Sequence, residues 1–215
     1  ACDADDVRVL ACDAAGRTLD EADERGFPEF PAAIPESQPT VDPGPATYST
    51  RKVALEQTLL QTSDRPVTIL RPFAIHGEGT GHCREWFFVK RMLDGRTRIP
   101  LAYGGGSRFQ TTASTNIAEL VRLCLAAPAG RVLNVADSDA PGVGEIGLTI
   151  ARLYGAAPAF VGLDGPPRRG VGGTPWSVAG PIIADQTAAR ALGFTPTSYA
   201  ERVEAACRAA EARAA

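Results

Sequence analysis

Hydrophobic and polar residues follow two kinds of pattern along this chain. Runs of β-branched and other apolar residues, such as 66–72 (PVTILRP) and 131–137 (RVLNVAD), predict buried strands. Segments with apolar residues three and four positions apart, such as 114–128 (STNIAELVRLCLAAP), predict helices. Because the two kinds of segment alternate along the sequence, we expect an α/β fold with a mainly parallel sheet.

The remaining predicted elements complete this order. Residues 13–45, rich in Asp, Glu, Gly and Pro, predict a long surface loop, and 73–83 predict a shorter one. Strands are predicted at 7–12, 66–72, 97–103, 131–137, 158–163 and 181–185, and helices at 46–62, 84–93, 114–128, 142–155, 186–196 and 198–214.

Composition narrows the class of protein and its partners. With 44% hydrophobic and 22% charged residues among 215, the chain can bury a core and is expected to be globular. The formal net charge of −3 and the scattered basic residues argue against a nucleic-acid partner. No apolar run reaches the roughly 18 residues of a membrane helix, so we expect no membrane segment. Five scattered cysteines without a Cys-x-x-Cys motif favour reduced thiols and a cytoplasmic location.

A tyrosine and a lysine four residues apart, Tyr48 and Lys52, lie at the start of the predicted helix 46–62. Residues with this spacing share one face of a helix. An ammonium close to a phenol favours the phenolate, and such a pair can pass a proton to a substrate oxygen while a hydride moves elsewhere. A packed tyrosine beside a solvated lysine would explain the same spacing. The choice of lysine adds some weight, since 20 of the 22 basic residues are arginine.

Residues 46–57 (ATYSTRKVALEQ) resemble the Tyr-x-x-x-Lys helix of the short-chain dehydrogenase/reductase superfamily. Further segments resemble its extended branch, the NAD-dependent epimerase/dehydratase family, and occur in the family's order over most of residues 7–210. These segments are 67–79 (VTILRPFAIHGEG), 112–128 (TASTNIAELVRLCLAAP), 131–137 (RVLNVAD) and 185–196 (DQTAARALGFTP). The resemblance implies a partial Rossmann-like, mainly parallel sheet flanked by helices, with a small α+β substrate lobe.

The resemblance also implies roles for individual residues. Tyr48 would be the catalytic acid/base, and Lys52 would assist it and hold the ribose of NAD or NADP. The cofactor-binding residues would be Tyr48, Lys52, Pro72, Phe73, Ala74 and Ile75. Residues 1–76 and 111–136 would form the remainder of the dinucleotide-binding domain. Residues 77–110 and 137–215 would form the substrate lobe and C-terminal helices, intertwined with it in one compact unit.

Two further residues are candidates for binding a small or sugar-like carbonyl or alcohol substrate. His76 is expected to line the pocket after its strand. Arg108 follows a glycine turn and could meet a phosphate or carboxylate, although a solvated turn arginine fits the sequence equally well. His76, His82 and Cys83 match no common zinc spacing, so we predict no metal site.

The sequence departs from the family pattern at three places. The family's Gly-x-x-Gly-x-x-Gly is absent, and the clusters HGEGTG, YGGGS and GVGG have the wrong spacing and context for a phosphate-binding turn. Only about six residues precede the first predicted strand, so the chain would begin near the family's fifth strand. Where a catalytic Ser or Thr is expected, residues 10–16 read LACDAAG, and the His-Val-Asp-Asp-type position reads ASTN at 113–116.

These departures leave three hypotheses open. The chain is an NAD(P)-dependent epimerase, dehydratase or reductase, or a truncated or degenerate relative that binds no dinucleotide, or a non-catalytic ligand-binding module. On the second hypothesis the isolated chain would be inactive. A sheet without its first strands would have an open edge, which invites pairing. A homodimer is therefore the macromolecular partner that we consider.

Overall fold

The computed structural model of the protein describes residues 10–214, and most of its elements fall where the sequence predicts them. The helices are α1 (Ala22–Arg25), α2 (Tyr48–Thr62), α3 (Trp86–Leu93), α4 (Ser114–Ala126), α5 (Val143–Leu153), α6 (Thr187–Arg190) and α7 (Tyr199–Ala214). The strands are β1 (Thr68–Pro72), β2 (Ala74–His76), β3 (Arg98–Leu101), β4 (Thr111–Ala113), β5 (Arg131–Val135) and β6 (Ala159–Gly162).

The strands pair side by side in parallel ladders. β1 pairs with β5, β2 with β4, and β3 with β6. Phe73 separates β1 from β2, so one nearly continuous extended segment contributes to two ladders. The α/β architecture with parallel strands is thereby confirmed, although the described strands form three two-stranded ladders and not one continuous sheet.

Two short strands, β2 and β4, do not match the predictions. β2 lies inside the segment 73–83 that was predicted as a loop, and β4 lies immediately before α4 where no strand was predicted. Each has three residues, which is too short for an alternating pattern to show in the sequence.

Two other segments also differ from the prediction, and a third lies partly outside the described residues. The prediction of a strand over 181–185 is wrong, because this segment makes only isolated bridges, to Phe109 and to Ile34. The long loop 13–45 contains the single-turn helix α1. Part of the predicted strand 7–12 lies outside the described residues, and its last two residues form isolated antiparallel bridges.

Two apolar clusters hold these elements together. The larger one packs α3, α5 and α7 against β3, and its largest fully buried side chains include Phe88, Trp176 and Tyr199. The smaller one joins α4, β5 and the segment after α6, around Leu120 and Phe194. Each such large apolar side chain contributes about 1.5–3 kcal/mol on burial. The larger cluster draws residues from both predicted lobes, whose boundaries stay a prediction.

The helix α2, which carries Tyr48 and Lys52, begins at a reciprocal cap. The Thr50 amide donates to Thr47 Oγ1 at 3.2 Å, and the Thr47 amide donates to Thr50 Oγ1 at 2.9 Å. These two bonds satisfy backbone donors that the first helical turn would otherwise leave without partners, and so they fix the first helical residue as Tyr48. Among its 15 residues only Ser49 and Val53 are buried, so few packing contacts hold the helix in place.

Candidate active site

A cleft of about 560 Å³ lies between α2 and β1. Five of the six residues predicted for catalysis and cofactor binding line it: Tyr48, Lys52, Pro72, Phe73 and Ile75. The sixth, Ala74, is 1% exposed and belongs to the larger apolar cluster. The fold therefore brings the start of α2 and the end of β1, which lie on different elements, to the same cleft.

The two residues of the predicted dyad face each other on the first turns of α2. Lys52 Nζ lies 5.4 Å from the centre of the Tyr48 ring, which is the distance of a cation–π contact. Tyr48 is 38% exposed, so the phenol can be reached from the cleft. The arrangement therefore places an ammonium over the face of an accessible tyrosine ring.

His76 does not line this cleft. Its side chain is fully buried, and its Nε2 lies 2.7 Å from a carboxylate oxygen of Asp137. Its ring also packs on the ring of Tyr199, with the centroids 5.0 Å apart. The structure thus places His76 in a buried polar cluster, and a substrate role for it gains no support from this position.

Asp137, the residue at the centre of this cluster, was missed by the sequence analysis. One carboxylate oxygen accepts hydrogen bonds from His76 and from Thr111 Oγ1 at 2.6 Å. The other accepts from the Ala113 amide at 2.7 Å and from Asn116 Nδ2 at 2.8 Å. Burial by itself raises the pKa of Asp137, but the hydrogen bond from His76, the charge interaction with His76 and the bonds from Thr111 and Ala113 outweigh it and lower the pKa. The available signal was an acidic residue at the end of the predicted buried strand 131–137, since a buried carboxylate requires partners.

A second buried acid extends the cluster. Glu85, at the start of α3, is 1% exposed, and the Tyr199 hydroxyl donates to its Oε1 at 3.4 Å. Burial raises the pKa of Glu85, and burial, together with the charge of Glu85, raises the pKa of Tyr199 well above its usual range. Hydrogen bonds thus join Asp137 to β2, β4 and α4, and the ring contact between His76 and Tyr199 brings α7 and Glu85 against this group.

Arg108 lies at a different cavity from the dyad. Its Nε donates to the carbonyl of Ala140 at 2.8 Å, and the side chain is exposed. It lines a cavity of about 450 Å³ together with Tyr103 and Ser107. No described residue lines both cavities, so the structure does not bring Arg108 to Tyr48. Its substrate role stays a prediction.

The segment 10–16, where the family's hydroxyl was expected, is arranged around the carboxylate of Asp13. That carboxylate accepts from the amides of Ala15, Arg17 and Glu29 and from Arg17 Nε at 2.7 Å. The Glu29 amide has the largest effect, and together these donors lower the pKa of Asp13 to about 2. The neighbouring Cys12 thiol donates to the Thr40 carbonyl at 3.4 Å, and burial raises its pKa. The Asp13 carboxylate thus stabilises the local turn through these four hydrogen bonds.

The sequence contains one glycine pattern that the sequence analysis overlooked, Gly-x-Gly-x-x-Gly at 142–147 (GVGEIG), which follows β5 and opens α5. This spacing is typical of dinucleotide-binding turns. In the structure, however, a Cβ on Gly142 or Gly144 would lie 3.5 Å from the Gly105 carbonyl, and the Val143 amide donates to the Ser107 carbonyl at 3.0 Å. The turn 104–107 therefore lies against this helix start and occupies the Val143 amide.

Within residues 10–214, no group of three or more His, Cys, Asp or Glu side chains is placed to hold a metal ion. Likewise, no helix in this part of the chain has the length and apolar character needed to cross a membrane.

Comparison with protein-family models gives no match, and comparison with curated protein sequences gives none either. Solved structures do match. A UDP-glucuronic acid 4-epimerase from Bacillus cereus, in complex with UDP-glucuronic acid and NAD, is 17% identical with a TM-score of 0.63, over 87% of this chain and 59% of that one. A UDP-glucose 4-epimerase from Thermotoga maritima with UDP-glucose is 18% identical with a TM-score of 0.62, over 88% and 60%.

A third match is a dTDP-glucose 4,6-dehydratase from Streptomyces venezuelae with NAD bound, which is 20% identical with a TM-score of 0.61, over 86% of this chain and 56% of that one. This chain therefore spans about 60% of the length of the enzymes it matches. At these identities the likeness establishes the fold. The resemblance to the NAD-dependent epimerase/dehydratase family is confirmed at that level: the chain has the fold of sugar-nucleotide epimerases and dehydratases.

Proposed function

We propose that the cleft between α2 and β1 belongs to an NAD(P)-dependent oxidoreductase of the epimerase, dehydratase or reductase type, in which Tyr48 transfers the proton. The observation that carries this proposal is the placement of Tyr48 and Lys52 on one wall of the cleft, facing Pro72, Phe73 and Ile75 across it. The fold supports it, since structures with this fold include sugar-nucleotide enzymes that hold NAD.

In this proposal the two residues of α2 divide the work. The Tyr48 phenol exchanges a proton with an alcohol or carbonyl oxygen of the substrate, acting as a general base in one direction and a general acid in the other. The Lys52 ammonium stabilises the phenolate that forms and holds a ribose hydroxyl. A nicotinamide, when bound, would accept or donate the hydride. The end of β1 would form the apolar wall that keeps water from the reacting atoms.

The described residues fit only one end of a dinucleotide. Tyr48, Lys52 and the residues after Arg71 would hold the nicotinamide and its ribose. Among residues 10–214 we identify no phosphate-cradling turn beside them, and the glycine pattern at 142–147 is packed against the turn 104–107. We therefore expect weaker nicotinamide binding by this chain than a glycine-rich turn would give.

Titration of the chain with NADH and NADPH, followed by nicotinamide fluorescence, tests the proposal directly. Saturable binding is expected, together with conversion of UDP-glucose, UDP-glucuronic acid or dTDP-glucose in the presence of the oxidised cofactor, followed by NMR. The absence of binding at millimolar cofactor would refute the proposal for this chain.

Two variants separate the roles within the dyad. Tyr48→Phe should lower turnover by about 10²–10⁴-fold, the usual contribution of general acid–base catalysis, and leave cofactor affinity nearly unchanged. Lys52→Met should lower both the turnover and the affinity for the cofactor. Lys90→Met is the matched control, since Lys90 is the only other lysine in the sequence and pairs with Asp94 on α3. If Tyr48→Phe retained full turnover, Tyr48 would have no place in the mechanism.

A second candidate function is ligand binding without redox chemistry. The observation in its favour is the segment 10–16, where Asp13 is committed to its own turn and no hydroxyl side chain is available as a partner for Tyr48. Saturable binding of a sugar nucleotide, in the absence of any effect of NADH or NADPH, would favour this candidate over the first.

A further inference from the structure

The same face of α2 that carries the dyad continues one turn further to Glu56. Tyr48, Lys52 and Glu56 are spaced by four residues, and all three line the cleft. Glu56 reaches across the cleft to Arg71, which lies in β1 directly before Pro72 and Phe73. This ion pair therefore joins the helix of the dyad to the strand that ends at the opposite wall.

The geometry of this pair is bidentate. Arg71 Nε lies 3.1 and 3.2 Å from the two carboxylate oxygens of Glu56, and Arg71 Nη2 lies 2.7 Å from Oε2. The two side chains are 19% and 13% exposed, so the pair is shielded from most of the solvent. A forked, partly buried contact of this kind fixes orientation as well as distance, which a single point contact between charges does not.

Arg71 is itself anchored to the body of the protein. Its Nη1 donates to the Glu36 carbonyl at 3.1 Å, and the Glu36 carboxylate accepts from the Asn134 amide in β5 at 2.9 Å. The guanidinium is thus bonded to a segment that is itself bonded to the β1–β5 ladder. On the other side, α2 has no comparable hold. In the described part of the chain, its other hydrogen bonds stay within the helix or its lead-in at 44–47.

We propose that Glu56 and Arg71 are positioning residues, whose ion pair sets the place of Tyr48 and Lys52 relative to the wall formed by Pro72 and Phe73. This inference deepens the proposed function and rests on it for its catalytic consequence. A helix with two buried residues and one forked anchor can shift when that anchor is removed. A misplacement of about 1 Å in an active site can lower the rate about 100-fold.

The test is the isosteric variant Glu56→Gln, which keeps the shape of the side chain and removes its charge. Hydrogen exchange of the α2 amides, measured by mass spectrometry on the full chain, is expected to speed up at least about tenfold in this variant, with no change in β5. Turnover at saturating cofactor is expected to fall about 10–100-fold. The charge-exchanged double variant Glu56→Arg/Arg71→Glu should restore slow exchange in α2, at least in part.

Glu119→Gln is the matched control. Glu119 and Arg122 form an equally forked pair, at 2.8 and 2.9 Å, but both lie on the exposed face of α4 and the pair joins nothing to α2. This variant should leave α2 exchange and turnover as in the wild type. Unchanged α2 exchange in Glu56→Gln, or an equal increase in β5, would overturn the positioning role. If the wild type has no nicotinamide-dependent turnover, the proposed function fails, and the exchange data alone decide the positioning role.

Discussion

Removal of the Asp137 carboxylate should destabilise the protein more than any other single change to its polar interior. The carboxylate has no solvent exposure and accepts four hydrogen bonds, from His76, Thr111, Asn116 and the Ala113 amide. Because a carboxylate only accepts, His76 donates through Nε2. The four donors come from β2, β4 and α4, so the loss of this group affects all of these elements together.

The substitutions Asp137→Ala and Asp137→Asn should differ in cost. In the alanine variant the Ala113 amide loses its acceptor inside the protein, and a buried donor left in this way costs about 1–3 kcal/mol. With the other three donors also affected, we expect a loss of about 3–5 kcal/mol in the free energy of unfolding. In the asparagine variant one oxygen can still accept from Ala113 and Asn116. The new amide can donate to Thr111 and to a His76 that carries its proton on Nδ1, so the expected loss is about 1–2 kcal/mol.

Urea unfolding at neutral pH, followed by circular dichroism, measures both losses in the free energy of unfolding. The control is Asp64→Asn, which removes the negative charge of an exposed residue. The reasoning would be refuted by an alanine variant that loses less than about 1 kcal/mol. It would also be refuted if asparagine cost as much as alanine, since the negative charge and not the number of satisfied donors would then dominate.

Three further predictions concern pH, packing and capping. Because the pKa of Asp137 is lowered in the folded protein, its stabilisation is present above the unfolded value of about 3.9 and is lost as the pH falls through the folded value. The difference in unfolding free energy between wild type and Asp137→Asn should therefore shrink below about pH 4, and a constant difference would contradict it. Gly147→Ala should cost about 1–3 kcal/mol in thermal unfolding, since its Cβ would lie 2.7 Å from the Phe160 ring, whereas Gly144→Ala meets only an ordinary contact at 3.5 Å and should cost less. Thr47→Ala should cost about 1 kcal/mol through loss of the α2 cap, and Thr47→Ser, which keeps the hydroxyl, should restore most of it in the same measurement.

The sequence patterns predicted the helices and strands whose formation depends on residues close to one another along the chain. The helix α2 has a capping threonine, α4 has periodic apolar residues followed by Pro128, and β1 is a β-branched apolar run that ends at Pro72, and all of these signals are local. The spacing of Tyr48 and Lys52 is local as well, and both residues line one cleft. The contact between His76 and Asp137 joins positions 61 residues apart, so no local pattern could indicate it. The strands β2 and β4 exist because they pair with each other, and each is too short to be recognised alone.

The glycine pattern at 142–147 is the reverse case. The motif is complete in the sequence, but the residues packed against it in the fold occupy the helix start. A phosphate-binding turn requires free amides at an open helix start, and here the Val143 amide is bonded to Ser107 and the Gly105 carbonyl lies against the turn. The presence or absence of a glycine motif in the sequence was therefore less informative than the contacts around it.

The described half of the site combines two parts of different stability. The wall at the end of β1 continues into β2, where His76 and Asp137 bond inside the protein, and is expected to open only with global unfolding. The helix α2 is attached through its cap, through buried Ser49 and Val53, and through the pair of Glu56 with Arg71. Local opening of α2 should thus require less free energy than unfolding of the whole chain. It follows that the change Glu56→Gln should alter the placement of Tyr48 and Lys52 before it alters the melting temperature. Changes at Asp137 should do the reverse.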